Sequence, residues 1–292
     1  MNRTELLEQF RGELLRTGKS QKTAKDYIYN VGRFMDWLEE MDGNPFEIPV
    51  TEFSIREYSG YLSRKSTSIS TVNARLSAIQ SFCNYLHAVH GCPVIKVQKK
   101  KGTPDPKVEV LNRQELFQYR QYVSKNCNLL HRTIIETLLY TGIREEELCN
   151  LTLDDVILTP KNANIIIRSG KGDKHRTVKI KDECKKLLIE YRDHRPVSDS
   201  NRFFIGNRGT LTPNGVYKIV HRHGKAIGLD VYPHKLRHQC FTAQARGAHT
   251  LAEFKAIQQN AGHSTIELTN KYYINVTKET RDRLIDDMDF YK

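Results

Sequence analysis

Several features that would place this chain of 292 residues in a common protein class are missing from its sequence. No stretch approaches the ~20 apolar residues that a membrane-spanning helix needs, and the N-terminal sequence MNRTELLEQFRGELL lacks the apolar core of a signal peptide. The six cysteines are scattered, with no CxxC pair and no His/Cys cluster at metal-ligand spacing. A Walker-type phosphate loop and an acidic metal cluster are absent too. We therefore expect a cytoplasmic protein with reduced thiols and without a membrane partner, a bound metal or a cofactor.

Positive charge, in contrast, is abundant. The chain has 46 Lys and Arg residues against 34 Asp and Glu residues, a formal net charge of +12 and a pI near 9.3. Such a balance favours a polyanionic partner, and nucleic acid is the first candidate. Membrane-surface proteins and many ordinary enzymes share a basic pI, so composition alone does not choose among these classes.

The first third of the chain has the apolar spacing of helices, with apolar residues recurring every three or four positions. Ser20 and Ser70 are predicted N-caps of the second and fourth helices. The third helix is predicted over residues 54–64 and the fourth over residues 70–88. Four short helices predict an all-α N-terminal domain over residues 1–95.

A basic stretch punctuated by Pro and Gly follows Gly91, where the helical periodicity fails. It predicts an interdomain linker over residues 96–111. This linker is either a solvated tether or a cationic strap over DNA phosphates, in which case Lys99, Lys100 and Lys101 would bind DNA without reading its sequence.

The rest of the chain, residues 112–292, predicts a mostly helical α+β domain with a small antiparallel sheet. Helices are predicted over residues 113–124 and 129–141, and β-prone runs over residues 164–168 and 176–180. The segment between those runs, SGKGDK, has the composition of a hairpin turn. From residue 181 onward the chain is predicted to be helical again, in segments punctuated by Pro196, Gly206, Pro213, Gly228, Pro233 and Gly262.

Polar residues of the second domain form an ordered set of boxes. They are TGIREEEL with Arg144 and Glu147, GKG with Lys171, HKLRH with His234 and Arg237, AGHS with His263, and then Tyr272. Taken singly, each residue is more often structural: an arginine at a helix start, a histidine cap, or one of 14 tyrosines. The order of the boxes, together with the nine-residue step from His263 to Tyr272, carries more information than any one of them.

With these boxes the chain resembles the tyrosine recombinase family, which includes the lambda integrase, Cre and Xer enzymes. The resemblance extends over essentially the whole sequence and is most specific in residues 112–292, while the four-helix N-terminal part is similar to the family's core-binding domain. It implies a site-specific recombinase that cuts and rejoins DNA through a 3′-phosphotyrosyl intermediate, without metal or ATP.

The resemblance assigns a role to each box residue. Arg144 and Arg237 would hold the non-bridging phosphate oxygens, whose negative charge grows in the transition state and suits planar guanidiniums. A tyrosine has a pKa of about 10, so the nucleophile Tyr272 needs a base, for which His234 is implied. His263 would donate a hydrogen bond to the phosphate, and Glu147 would hold the active-site arginines and histidines in place.

Two of these assignments leave alternatives open. Lys171 is the implied general acid for the departing 5′ oxygen, but Lys174 and Arg176 lie close by, and either could be the cation that reaches into the DNA groove. Both are otherwise expected to bind DNA. Tyr273 competes with Tyr272, because neighbouring residues of a helix point about 100° apart and only one can face the phosphate.

The implied partners are double-stranded DNA recombination sites and three further copies of the chain, in a homotetramer on two DNA sites. The tail, residues 277–292, would dock on a neighbouring protomer or fold back on its own domain. Integration, excision and resolution of a mobile element or of chromosome or plasmid dimers all remain open. The alternatives are a DNA-binding accessory protein without catalysis and a type IB topoisomerase that relaxes supercoils.

Overall fold

The computed structural model describes residues 2–65, 68–102, 110–168, 175–248 and 250–261, and these are mainly helical, as predicted. The chain divides into two units, Met1–Pro106 and Lys107–Lys292. Within the described ranges, no helix is both long enough and apolar enough to cross a membrane.

The described residues of the first unit form four helices that share one apolar core. Aromatic rings fill its centre: the Phe10 and Phe82 ring centroids lie 5.2 Å apart, and those of Phe34 and Tyr58 lie 5.0 Å apart. Rings at such distances add to the free energy gained by burying their large apolar surface. The helices are α1 (Arg3–Arg16), α2 (Gln21–Asp42), α3 (Glu52–Arg64) and α4 (Ile69–His90).

The helix starts confirm one predicted N-cap and correct the other. The Ser20 hydroxyl accepts a hydrogen bond from the Thr23 amide at 3.1 Å and caps α2. The prediction for Ser70 is wrong, because Ser68 caps α4 through the Thr71 amide at 3.2 Å. Ser68 has the extended backbone of a cap residue, so the helix begins at Ile69 and Ser70 already lies in its first turn.

The chain beyond α4 is hydrogen-bonded to that helix as far as residue 100. The Gln80 amide donates to the Ile95 carbonyl at 2.9 Å and accepts from the Val97 amide at 2.7 Å. The Asn73 amide pairs in the same way with both backbone groups of Lys100, at 2.8 and 3.0 Å. The first part of the predicted linker is therefore held on the first unit by two amide side chains, which apolar periodicity does not reveal.

In the second unit, the described residues form helices and two small antiparallel sheets. In the larger sheet the strand order is β1-β2-β3, with Ile165 opposite both Val156 and Val178. The helices are α5 (Arg113–Asn126), α6 (Leu129–Thr141), α7 (Glu145–Asn150), α8 (Asp182–Asp193), α9 (Pro213–Lys225), α10 (Pro233–Arg246) and α11 (Leu251–Ala261). The strands are β1 (Val156–Leu158), β2 (Ala163–Ile167), β3 (Arg176–Lys179), β4 (Ile205–Gly206) and β5 (Gly209–Thr210).

This sheet confirms the two predicted β-prone runs as β2 and β3, whereas two other features depart from the predictions. Strand β1 was not predicted, since three residues are too few to show a period. The β4–β5 hairpin lies at Gly206, one of the positions predicted to separate helical segments, where no strand was predicted. Its strands of two residues each carry no alternation that a sequence pattern could display.

Helix α6 lies at the centre of the second unit and sets up the site. Its residues Ile134, Ile135 and Leu138 are fully buried, and α5, α8, α9 and α10 pack around it. It ends at Gly142, whose φ of +63° is the left-handed conformation that glycine adopts easily, and whose amide donates to the Leu138 carbonyl at 2.9 Å. The chain then turns directly into α7.

Candidate active site

The turn between α6 and α7 carries the first arginine of the predicted site. Arg144 stands at the N-cap position of α7, and Glu147 is the third residue of that helix. One Glu147 oxygen accepts from the Arg144 backbone amide and the other from its guanidinium Nη1, both at 2.8 Å. Glu147 thus accepts hydrogen bonds from both the main chain and the side chain of Arg144.

Arg237, in the first turns of α10, reaches back to the same α6–α7 turn. Its Nη1 donates to the Gly142 carbonyl, and its Nη2 donates to the Ala261 carbonyl at the end of α11. The guanidinium also lies over the Phe241 ring, 4.9 Å from the ring centroid, and the residue is only 2% exposed. Three elements, the α6–α7 turn, α10 and α11, therefore meet at one guanidinium.

His234 lies one turn before Arg237 on α10. Its ring meets the His238 ring edge to face, with centroids 4.3 Å apart. Burial lowers the pKa of His234; the charges of Arg237 and Arg144 lower it further, and the Glu145 carboxylate opposes them. His234 is accordingly neutral at pH 7 and able to accept a proton.

Arg176 joins the sheet to Glu147. Its Nη1 and Nη2 donate to the two Glu147 oxygens at 2.9 and 2.6 Å, and its Nε donates to the Asn260 carbonyl at 2.9 Å. The side chains of Arg176 and Glu147 are 10% and 4% exposed, so the ion pair is largely shielded from solvent. Glu147 thereby receives hydrogen bonds from two arginines that come from different parts of the chain.

The charge on Glu147 is maintained by these arginines. Burial alone would raise the pKa of Glu147, but the hydrogen bonds and charges of Arg176 and Arg144 outweigh it and hold the pKa below its ordinary value. The carboxylate is therefore ionised at neutral pH and keeps both guanidiniums in place.

The sequence-based expectation that Arg176 binds DNA or reaches into its groove stays a prediction, and the structure gives this residue different partners. In the structure its guanidinium points inward, to Glu147 and to the end of α11. The strand alternation contained the signal: Val178, two residues on, is buried, whereas Thr177 and Lys179 are exposed. Arg176 shares the inward face of β3 with Val178.

Other residues of the predicted site lie outside the described part of the chain: Lys171, Lys174, His263, Tyr272, Tyr273 and the tail, residues 277–292. In sequence, the two lysines stand between β2 and β3, and His263 follows two residues after Ala261. Lys99, Lys100 and Lys101 are described and exposed in the first unit. Among the described residues, no cluster of three or more His, Cys, Asp or Glu side chains could hold a metal ion.

Sequence profiles match both units of the chain. That of the phage integrase family matches residues 109–280, and that of the phage integrase N-terminal SAM-like domain matches residues 6–89. Tyrosine recombinase XerA of Pyrococcus horikoshii is 28% identical over 291 residues, which cover 96% of this chain and 93% of the relative.

Solved structures agree with these matches. A crystal structure of XerA recombinase is 25% identical and superposes with a TM-score of 0.53, covering 99% of this chain and all of that one. The integrase of transposon Tn1549, solved in complex with transposon right-end DNA, is 18% identical and shares the fold, with a TM-score of 0.75 over 97% of this chain and 99% of that one. Together with the profile that matches more than half of the sequence, these likenesses show that the chain belongs to the phage integrase family of tyrosine recombinases.

Proposed function

We propose that this protein is a site-specific recombinase that cleaves and rejoins DNA strands through a covalent 3′-phosphotyrosyl intermediate. The observation that carries the proposal is the convergence of the two motif arginines. Arg237 donates to the carbonyl of Gly142, two residues before Arg144, so boxes far apart in sequence meet at one turn. Such a pair of guanidiniums suits a phosphodiester, whose non-bridging oxygens gain negative charge as a nucleophile attacks.

Arg144 and Arg237 would contribute to phosphate binding in different ways. The Arg144 side chain is 30% exposed and already held by Glu147, so it presents a positioned charge to incoming DNA. Arg237 is 2% exposed in this structure. Its engagement with the phosphate therefore requires the surroundings of its guanidinium to open when DNA binds.

The proposed reaction balances without an added cofactor. The Tyr272 hydroxyl loses its proton to His234 and its oxygen attacks the phosphorus, forming the phosphotyrosyl bond while the bond to the 5′ oxygen breaks. The departing oxygen takes a proton from Lys171, and His263 donates a hydrogen bond to the phosphate. Attack by a 5′ hydroxyl of another strand reverses the step, and the energy of the original ester is retained throughout.

The proposed partner is double-stranded DNA bound by both units, with four copies of the chain on two sites. Xer-type and transposon relatives have been solved with DNA: XerH with its difH substrate, and the Tn1549 integrase with transposon DNA. The exposed Lys99, Lys100 and Lys101 would contact phosphates, and the net charge of +12 favours such a partner. We expect the protein to act in the cytoplasm, on a mobile element or on chromosome or plasmid dimers.

The test is covalent capture. Duplexes selected by the wild-type protein from fragments of its own genome, including those that flank its gene, are nicked, end-labelled and incubated without metal or ATP. Denaturing gels should show a protein–DNA adduct with wild type and Tyr273→Phe and none with Tyr272→Phe. An adduct lost only in Tyr273→Phe would move the nucleophile by one residue.

Two other results would favour a different function. Tight binding without an adduct in any variant would favour a DNA-binding accessory protein. An adduct followed by relaxation of supercoils, without strand exchange between two sites, would favour a topoisomerase.

A further inference from the structure

We propose that Arg176 is a positioning residue of the active site, which acts through Glu147 to hold Arg144 and ties the sheet and α11 to the same carboxylate. The inference rests on the proposed function and assigns Arg176 a role other than DNA contact. Its basis is the set of three hydrogen bonds from Arg176, two to the Glu147 carboxylate and one to the Asn260 carbonyl.

The geometry needs an arginine. The two Nη atoms grip both carboxylate oxygens at 2.9 and 2.6 Å, while Nε reaches the carbonyl at 2.9 Å. A guanidinium offers these donors in one fixed plane, whereas a lysine ammonium is a single point charge on a flexible stem. A lysine at position 176 could keep the charge opposite Glu147 but could not keep the fork and the carbonyl bond together.

The partners of Arg176 explain how it would influence catalysis. The Glu147 carboxylate accepts hydrogen bonds from the backbone amide and the guanidinium of Arg144. If this carboxylate changes its orientation, Arg144 loses both hydrogen bonds. Asn260 adjoins Ala261, whose carbonyl accepts from Arg237, so the end of α11 is anchored by both arginines. Loss of Arg176 would therefore loosen the supports of Arg144 and Arg237 at once.

Because Glu147 is buried, its charge and its orientation depend strongly on Arg176. Its side chain is 4% exposed, and a buried carboxylate that loses a charged partner is left with an uncompensated desolvation cost. Among the described residues, Arg144 would then be the remaining cation that donates to the Glu147 carboxylate, although its own side chain is 30% exposed. The carboxylate then becomes easier to protonate and less firmly fixed.

The experiment measures adduct formation on the nicked DNA for wild type, Arg176→Ala, Arg176→Lys, Glu147→Gln and the Arg176→Ala/Glu147→Gln double variant. Lys179→Gln is the matched control, since Lys179 is an exposed cation on the same strand. We expect Arg176→Ala to slow cleavage on the order of 10²-fold, as a misplacement of about 1 Å does. Lysine should restore part of the rate, the control should match wild type, and DNA affinity should change far less than the rate.

The double variant tests whether Arg176 acts through Glu147. If it does, the double variant is about as slow as the slower single variant, because the two substitutions break one unit. A double variant whose rate reduction equals the product of the two single reductions would overturn the proposal. A wild-type rate in Arg176→Ala would overturn it too, as would a loss of DNA affinity in that variant as large as its loss of rate. The last result would return Arg176 to a direct role in binding DNA.

A second readout does not need activity. Glu147 has a folded pKa below its ordinary value, so its stabilisation is present above the ordinary pKa and is lost as the pH falls through the folded one. In Arg176→Ala that pKa rises, so the melting-temperature deficit against wild type should be largest near pH 7 and shrink towards pH 4. A deficit that is independent of pH would indicate a packing role only.

The two proposals fail in different ways. A wild type without any adduct overturns the proposed function and, with it, the role of Arg176 in cleavage. An active wild type with multiplied single effects overturns only the positioning role.

Discussion

Gly142 offers a sharp test of how the site is built, because its neighbours leave no room for a side chain. A Cβ added there would lie 2.7 Å from two ring carbons of Phe241 and 3.2 Å from the Cys240 sulfur. Phe241 is fully buried, so its ring has little freedom to move aside. The same ring underlies the Arg237 guanidinium, whose Nη1 bonds the Gly142 carbonyl. We predict that Gly142→Ala damages both stability and the position of Arg237.

The expected loss of folding stability in Gly142→Ala has two parts. Alanine in the left-handed region at φ +63° costs about 1–2 kcal/mol, and overpacking a filled core costs about 1–3 kcal/mol more. Gly228→Ala is the matched control, because Gly228 has a φ of +73° and nothing within 4 Å of an added Cβ. The difference between the two variants isolates the overpacking, which corresponds to roughly 2–12 °C in the Tm of a domain of this size.

The assays are thermal unfolding and adduct formation on nicked DNA. Gly142→Ala should melt below Gly228→Ala by that interval and should cleave on the order of 10²-fold more slowly, since Arg237 moves with the Phe241 ring. Adding Phe241→Leu removes both clashing ring atoms, Cε2 and Cζ, and should recover part of the Tm lost in Gly142→Ala. Equal melting temperatures and equal rates for the two alanine variants would refute the reasoning.

Three further predictions concern other parts of the chain. Burial lowers the pKa of His234, so the rate of adduct formation should stay near its maximum down to about pH 6.5. The His234→Gln variant should form the adduct slowly at every pH. A normal rate in that variant would exclude His234 as the general base. Asn73→Ala removes two hydrogen bonds to Lys100, so trypsin should cut at residues 99–101 several-fold faster, and an unchanged rate would show that Asn73 does not hold the segment. Burial and the neighbouring His223 lower the pKa of His131 to about 4. The wild-type protein should therefore lose stability as the pH falls from about 6.5 to 4. In thermal unfolding measured over this pH range, His131→Gln should lose less stability than wild type.

Sequence patterns predicted the helices well where the elements are long and periodic. Helix α6 was predicted with its observed bounds, Leu129–Thr141, and α5 was predicted two residues short of its observed end at Asn126. Short elements were missed for a physical reason, since strands such as β1 and β4 contain too few residues to show a period. The cap of α4 was misplaced because Ser68 and Ser70 are both acceptable cap residues, and only the backbone decides between them.

The candidate site was predicted in part, and what was missed involves the main chain. The boxes identified Arg144 and Arg237 as a pair but gave no sign that Arg237 is held by the carbonyls of Gly142 and Ala261. Carbonyl groups are common to every residue, so a motif of side chains carries no information about which of them will accept a bond. Arg176 lies beside the predicted hairpin, and the alternation of β3 places its side chain on the same face as the buried Val178.

These main-chain bonds join the stability of α11 to the geometry of the site. The last carbonyls of a helix have no partner within it, and cations near that end are favourable. In α11 the carbonyls of Asn260 and Ala261 are met by Arg176 and Arg237, both from other elements. Helix α11 contacts α10 through apolar residues such as Ile257 and Ala261, and the two guanidiniums add hydrogen bonds at its C-terminal end. Hydrogen bonds therefore link the end of α11 to both arginines, and we expect a change that displaces this helix to disturb both guanidiniums.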